Sequence, residues 1–101
     1  MMQGDQYFIP LSLKTADGAY LTSEDMKDLE FSIGEVTKML SKGEVISDGN
    51  TFFVKLNQED TFQLKGKVRM QARILFEDNT VVGVHLGEEM VDVALSKAVL
   101  K

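Results

Sequence analysis

The sequence predicts an all-β antiparallel fold, a sandwich or a barrel. Apolar residues recur at every second position in several short runs, which is the period of a half-buried strand. Turn-forming groups such as Asp48-Gly49-Asn50 and Glu77-Asp78-Asn79-Thr80 separate those runs at short intervals. No stretch sustains a helical period beyond a short turn.

The first strand is "YFIPLSLK". Ile9, Leu11 and Leu13 fall on one face, and Pro10, Ser12 and Lys14 on the other. Pro10 has no N–H to give to a ladder, which places this strand at a sheet edge or beside a bulge. Asp17-Gly18 marks a turn. Thr22 or Ser23 then caps a short helical turn, with Glu24 and Asp25 in its favourable first positions. Leu29, Phe31 and Ile33 alternate with Glu30 and Ser32 as the second strand. Gly34 interrupts, and "EVTKMLS" continues as a third.

"ISDGNTFFVKL" is the strongest hairpin signal, with Asp-Gly between two apolar runs. Beyond the turn, Phe52, Val54 and Leu56 face the core, while Phe53 and Lys55 face outward or toward a neighbour. "NQEDTFQL" follows as a single helical turn capped by Asn57, with Glu59 and Asp60 near its start. "VRMQARILF" is the clearest strand, with Val68, Met70, Ala72, Ile74 and Phe76 on one face. "VVGVHL" returns antiparallel, "GEE" interrupts it, and "MVDVAL" extends the last strand. The expected core contains Phe31, Phe52, Val54, Met70, Ala72 and Ile74. "SKAVLK" carries no turn signal, so residues 96–101 read as a tail on one domain spanning 1–101.

The bulk numbers bound the function. A length of 101 residues suits one domain, and 44% apolar residues supply a core. The formal charge of −5 disfavours nucleic acid. No apolar run approaches the roughly 18–20 residues that cross a bilayer, and no signal-peptide pattern precedes the first strand, so no membrane partner is expected. There is no cysteine, hence no disulfide and no thiolate metal site.

A search for chemistry returns little. The one histidine, His85, lies in a strand without a spaced partner ligand, and no Gly-x-Ser-x-Gly elbow is present. The pairs Glu24-Asp25, Glu59-Asp60, Glu77-Asp78 and Glu88-Glu89 are spread over separate segments. No catalytic residue, metal site or cofactor is therefore expected. Phe52 and Phe53 are adjacent, so a strand must turn one of them away from the core, which points to a partner surface.

The order of features resembles a known family. "GDQYFIPLSLKTADGAYLTSEDMKDLEFSIG" is similar to the start of small immunoglobulin-like domains of phages and prophages of Gram-positive bacteria, notably the N-terminal domain of upper baseplate proteins. The likeness rests on Gly4-Asp5, the alternating strand Phe8–Lys14, Asp17-Gly18, Leu21-Thr22 and the strand Leu29–Ile33. "FFVKLNQEDTFQLKGKVRMQARILFEDNTVVGVHLGEEMVDV" continues it through a strand, a turn and a long strand pair. Family members often carry a tyrosine near the start of the long strand, where Val68 and Met70 stand here.

The resemblance implies an immunoglobulin-like antiparallel β-sandwich with one or two single-turn helices. It also implies a non-enzymatic tail or baseplate protein that acts through protein–protein contacts, resident in the host cytoplasm during assembly and then in the virion. The expected partners are virion proteins or a second copy of the chain. Phe8, Pro10, Phe53, Leu95, Val99 and Leu100 are the expected interface residues, the last three on the tail. The alternative is a carbohydrate- or host-receptor-binding module, which would use exposed aromatics in a groove. The absence of Trp and the presence of only 2 Tyr weigh against it.

Overall fold

The computed structural model describes residues 1–101 as an all-β sandwich of two antiparallel sheets. Seven strands build it: β1 Tyr7–Leu11, β2 Met26–Ile33, β3 Val36–Met39, β4 Val45–Asp48, β5 Thr51–Leu56, β6 Gly66–Phe76 and β7 Val81–Val91. Sheet I has the order β1-β5-β4, and sheet II the order β3-β2-β6-β7. The chain crosses between the sheets three times, and each crossing is built round a short helical element: the 3-10 turn Ser23–Asp25, the 3-10 turn Leu40–Lys42 and the helix α1, Gln58–Phe62. No helix is long and apolar enough to cross a membrane.

The core lies between the sheets. Leu11, Val45, Phe52, Val54 and Leu56 come from sheet I, and Leu29, Phe31, Ile33, Ala72 and Ile74 from sheet II; all are buried. Phe31 stands opposite Ala72 on the neighbouring strand, so a large side chain meets a small one and the layer fills without a clash. Leu13 and Leu21 are also buried, joined by a backbone bond from Leu21 N–H to Leu13 C=O.

The turns follow from their residues. Asp48 pairs with Thr51, so Gly49-Asn50 is the two-residue loop, one position later than Asp-Gly alone suggests. Gly49 takes φ 61°, the positive value that favours glycine at the first central position of such a hairpin. α1 has Asn57 as cap: its side chain accepts from Asp60 N–H at 2.8 Å, and the Asp60 carboxylate accepts from Asn57 N–H at 2.9 Å. That reciprocal box satisfies two donors the helix start would leave bare. At the first 3-10 turn, the Asp25 carboxylate accepts from both Thr22 N–H, at 2.8 Å, and the Thr22 hydroxyl.

Several sequence expectations are corrected. β1 ends at Leu11 rather than Lys14, and β3 ends at Met39 where the second 3-10 turn begins. Met70 is half-buried, because it stands opposite Gly87, which has no side chain to cover it. "GEE" does not break the last strand. β7 runs through it, and a bulge beside Leu86 and Gly87 absorbs the irregularity. The strand stops at Val91, and Asp92 instead pairs in parallel with Met2. A second bulge at Lys27 lets both Met26 and Leu29 be buried, although they are an odd number of residues apart.

A lysine also faces inward. Lys38 lies opposite Phe31, and its ammonium meets the Asp60 carboxylate at 2.8 Å, with both side chains 12% exposed. This pair bridges β3 to α1 at the rim of the core.

Phe52 is fully buried in the middle of the sandwich. Its truncation to alanine is expected to cost about 3–5 kcal/mol. Urea unfolding measures this, and a loss below about 1 kcal/mol would remove Phe52 from its place as a core anchor.

Candidate interaction surface

The two outer faces of the sandwich differ in chemistry, and the difference starts from adjacent apolar pairs. In β5, Phe52 points in and Phe53 therefore points out. In β4 the same holds for Val45 and Ile46. Antiparallel register then lines up neighbours: Pro10 of β1 and Ile46 of β4 both pair with Phe53 of β5. Directly opposed residues share a face. Pro10, Phe53 and Ile46 thus form one apolar row across sheet I.

The neighbouring row begins with Phe8, paired with Lys55. Phe8 is 59% exposed and Ile46 50%, while Phe53 is half-buried beneath its neighbours. Of the residues expected from sequence, Phe8, Pro10 and Phe53 are brought together. Ile46 was missed, although "VISD" carries the same signal as "TFFV", two adjacent apolar residues in a strand. β1 is an edge strand with β5 as its one neighbour, in line with Pro10.

The outer face of sheet II is polar over the middle of β2 and β6, with Met39, Leu75 and Val81 at one end. Ser32 pairs with Thr37, and Gln71 with His85. Glu30 pairs with Arg73, whose Nε and a terminal nitrogen donate to the carboxylate at 2.7 and 3.0 Å. A shallow cavity of about 200 Å³ lies beside them, lined by Asp28, Glu30, Met39, Arg73, Leu75 and Val81. Its carboxylates are already engaged. Burial pushes the Asp28 carboxyl up, but the hydroxyl and N–H of Ser41 and the N–H of Leu29 outweigh it and hold the group below the usual range.

His85 is exposed on β7. The acidic pairs serve local structure: Asp25 and Asp60 close capping contacts, and Asp78 accepts from Thr80 N–H at 3.0 Å. No three His, Asp or Glu side chains converge where they could hold a metal ion.

Leu95, Val99 and Leu100 do not join the Phe8 row. They lie on the segment that runs past α1, where Leu95 is fully exposed and Leu100 largely so. Val99 lines a depression with Gln6, Asn57, Gln58 and Glu59. No family model, curated protein or solved structure matches the chain.

The Glu30–Arg73 pair has a pH signature. Hydrogen bonds from Arg73 hold the Glu30 carboxyl below its usual range. A depressed carboxyl contributes stability above its unfolded value, about 4.3 for Glu, and loses it as pH falls through the folded value. Glu30→Gln is therefore expected to be less stable than the parent near pH 7, with the gap closing below about pH 4. Denaturation midpoints across that range measure it, and a gap that stays constant with pH would remove the pair's electrostatic contribution.

Proposed function

We propose that the chain is a non-enzymatic structural protein of a phage or prophage particle, a tail or baseplate component that docks on its neighbours through the outer face of sheet I. The observation that carries the docking role is the row Pro10–Phe53–Ile46 with Phe8 beside it, an apolar strip across the outer face of sheet I. A contiguous exposed apolar patch marks an interaction site more often than a chance of composition. The virion assignment rests on the resemblance of the strand and turn order to baseplate immunoglobulin-like domains. Proteins of this kind work by rigid presentation of a surface, and a two-sheet sandwich with a packed core supplies that rigidity. In this reading the protein accumulates in the host cytoplasm and then joins the particle.

The test is a double substitution, Phe8→Ser with Ile46→Ser. Both side chains are at least half exposed, so the fold is expected to survive with a change within about 0.5 kcal/mol per site. Particles produced by a phage carrying the substitutions are then purified and probed for the protein. Loss of the variant from particles at unchanged intracellular level is the expected result. Incorporation equal to the parent would overturn the docking role of this face, and absence of the parent protein from particles would overturn the virion reading.

A further inference from the structure

Of the edge strands of the two sheets, β1, β3 and β4 are guarded and β7 is not. β1 carries Pro10, and β3 and β4 have only 4 residues each. β7 has 11 residues and β6 as its one neighbour. Its far end is already covered. The Met1 amino group donates to Met90 C=O at 3.2 Å, Asp92 N–H to Met1 C=O at 2.8 Å and Gln3 N–H to Asp92 C=O at 2.9 Å, so residues 1–3 run beside it in parallel. This edge thus accepts a neighbouring backbone. The near end, Val81–His85, has no such cover. "VVGVH" holds no proline, lysine or acid, and the bulge comes only after it. Val81 is 57% exposed and Val82 43%.

The backbone here is unpaired in a definite pattern. Phe76 N–H donates to Thr80 C=O at 2.9 Å, so these two residues form a hydrogen-bonded pair. An antiparallel ladder alternates bonded and non-bonded pairs. Ile74–Val82 and Ala72–Val84 are then bonded, while Leu75–Val81, Arg73–Gly83 and Gln71–His85 are not. Gly34 N–H donates to Arg69 C=O, which sets the same parity from the β2 side. Val81, Gly83 and His85 therefore turn their N–H and C=O groups away from β6, into solvent. Opposed residues share a face, so Val82 and Val84 lie on the core face with Ile74 and Ala72.

We propose that the Val81–His85 edge pairs with the same edge of a second copy, antiparallel about a two-fold axis at Gly83. In that register Val81 meets His85 of the second copy and Gly83 meets Gly83, so every free N–H and C=O of the stretch gains a partner. Sliding the register by a residue pair leaves one of the three unpartnered on each copy. A second copy is the occupant because the stretch is its own complement. Reversed about Gly83, Val82 falls opposite Val84 in the non-bonded pairs, where side chains approach closest. Apolar meets apolar on the core face, no charges are opposed within the stretch, and Gly83 places no side chain on the axis. The bulge at Leu86 and Gly87 ends the pairing on one side and the turn after Phe76 on the other. Sheet II of the two copies becomes one continuous sheet through an isologous contact, the commonest symmetry of small assemblies. This edge belongs to sheet II, so the pairing stands apart from the docking face on sheet I and from the virion reading.

The intact chain tests it. Light scattering from about 1 µM to 1 mM, a range that spans ordinary self-association, is expected to show a shift from one copy to two. Amide exchange followed by NMR at both ends of that range is expected to slow with concentration at Val81, Gly83 and His85. It is expected to stay unchanged at Val82 and Val84, whose N–H groups already bond to β6. Gly83→Pro removes an N–H that the fold leaves free, and a β-carbon there meets only the Arg73 side chain at 4.0 Å. Val82→Lys installs the guard that free edges ordinarily carry. Each is expected to raise the dissociation constant about tenfold or more while circular dichroism stays unchanged. Phe8→Ser with Ile46→Ser, on the other sheet, is expected to leave the dimer intact. The proposal would be overturned by a mass of one copy throughout, by a dimer whose Val81, Gly83 and His85 amides gain no protection, by a dimer indifferent to Val82→Lys, or by one lost in the sheet I double variant.

Discussion

The ion pair between Lys38 and Asp60 holds the place where sheet I hands the chain to sheet II for the last time. Asp60 has two obligations there. It closes the capping box of α1 through Asn57 N–H, and it neutralises an ammonium that β3 aims along the core face. A nearly buried pair of this kind adds little net stability over an apolar substitute, yet losing one partner strands the other. It therefore specifies position more than it adds energy. With α1 so fixed, Thr61 becomes a second tie: its hydroxyl accepts from Gly4 N–H and donates to Asp5 C=O, each at 2.8 Å. Gly4 passes so close to the Phe62 ring that a β-carbon would sit 2.9 Å from it. The path of residues 4–6 into β1 follows from these contacts, and with it the location of Phe8 and Pro10 on the outer face.

The sandwich was legible where a local rule and the tertiary fold agree. Period two located the core faces of β2, β5 and β6, and Asn57 with Asp60 announced α1 three residues apart. Pro10 placed β1 at an edge. The features that were not legible depend on partners distant in sequence. Nothing around Lys38 says that it points inward, because its counter-ion lies on another element. The bulges at Lys27 and Leu86 change which residues face the core, and a strict alternation cannot express an inserted residue. Met70 has the right period and still falls short of burial, since the deciding residue is Gly87 on the next strand. The path of residues 94–101 depends on amides of Gln3 and Gln58, which no pattern within the segment reveals.

The candidate surface was half legible for the same reason. Adjacent phenylalanines in a strand diverge, so one of them had to leave the inner face. What the sequence could not supply was the cross-strand register that sets Pro10 and Ile46 on either side of Phe53. The contrast with sheet II follows from composition along β2 and β6, where Glu30, Ser32, Gln71 and Arg73 occupy the outward positions. One outer face is held by cross-strand polar pairs and the other is not.

The placement of three crossings also bears on how the chain reaches this state. Between the crossings lie β2 with β3, β4 with β5 and β6 with β7, each pair antiparallel and joined by a short turn. These hairpins close small loops and so cost the least chain entropy to begin. β1 has no such partner. It must find β5, with Ile9 opposite Val54 far along the chain, and it carries a proline on a strand with one neighbour. β1 therefore joins sheet I by closing a long loop, at a larger entropy cost than any of the three hairpins. The edge that presents Phe8 and Pro10 is thus the part of sheet I that no hairpin secures.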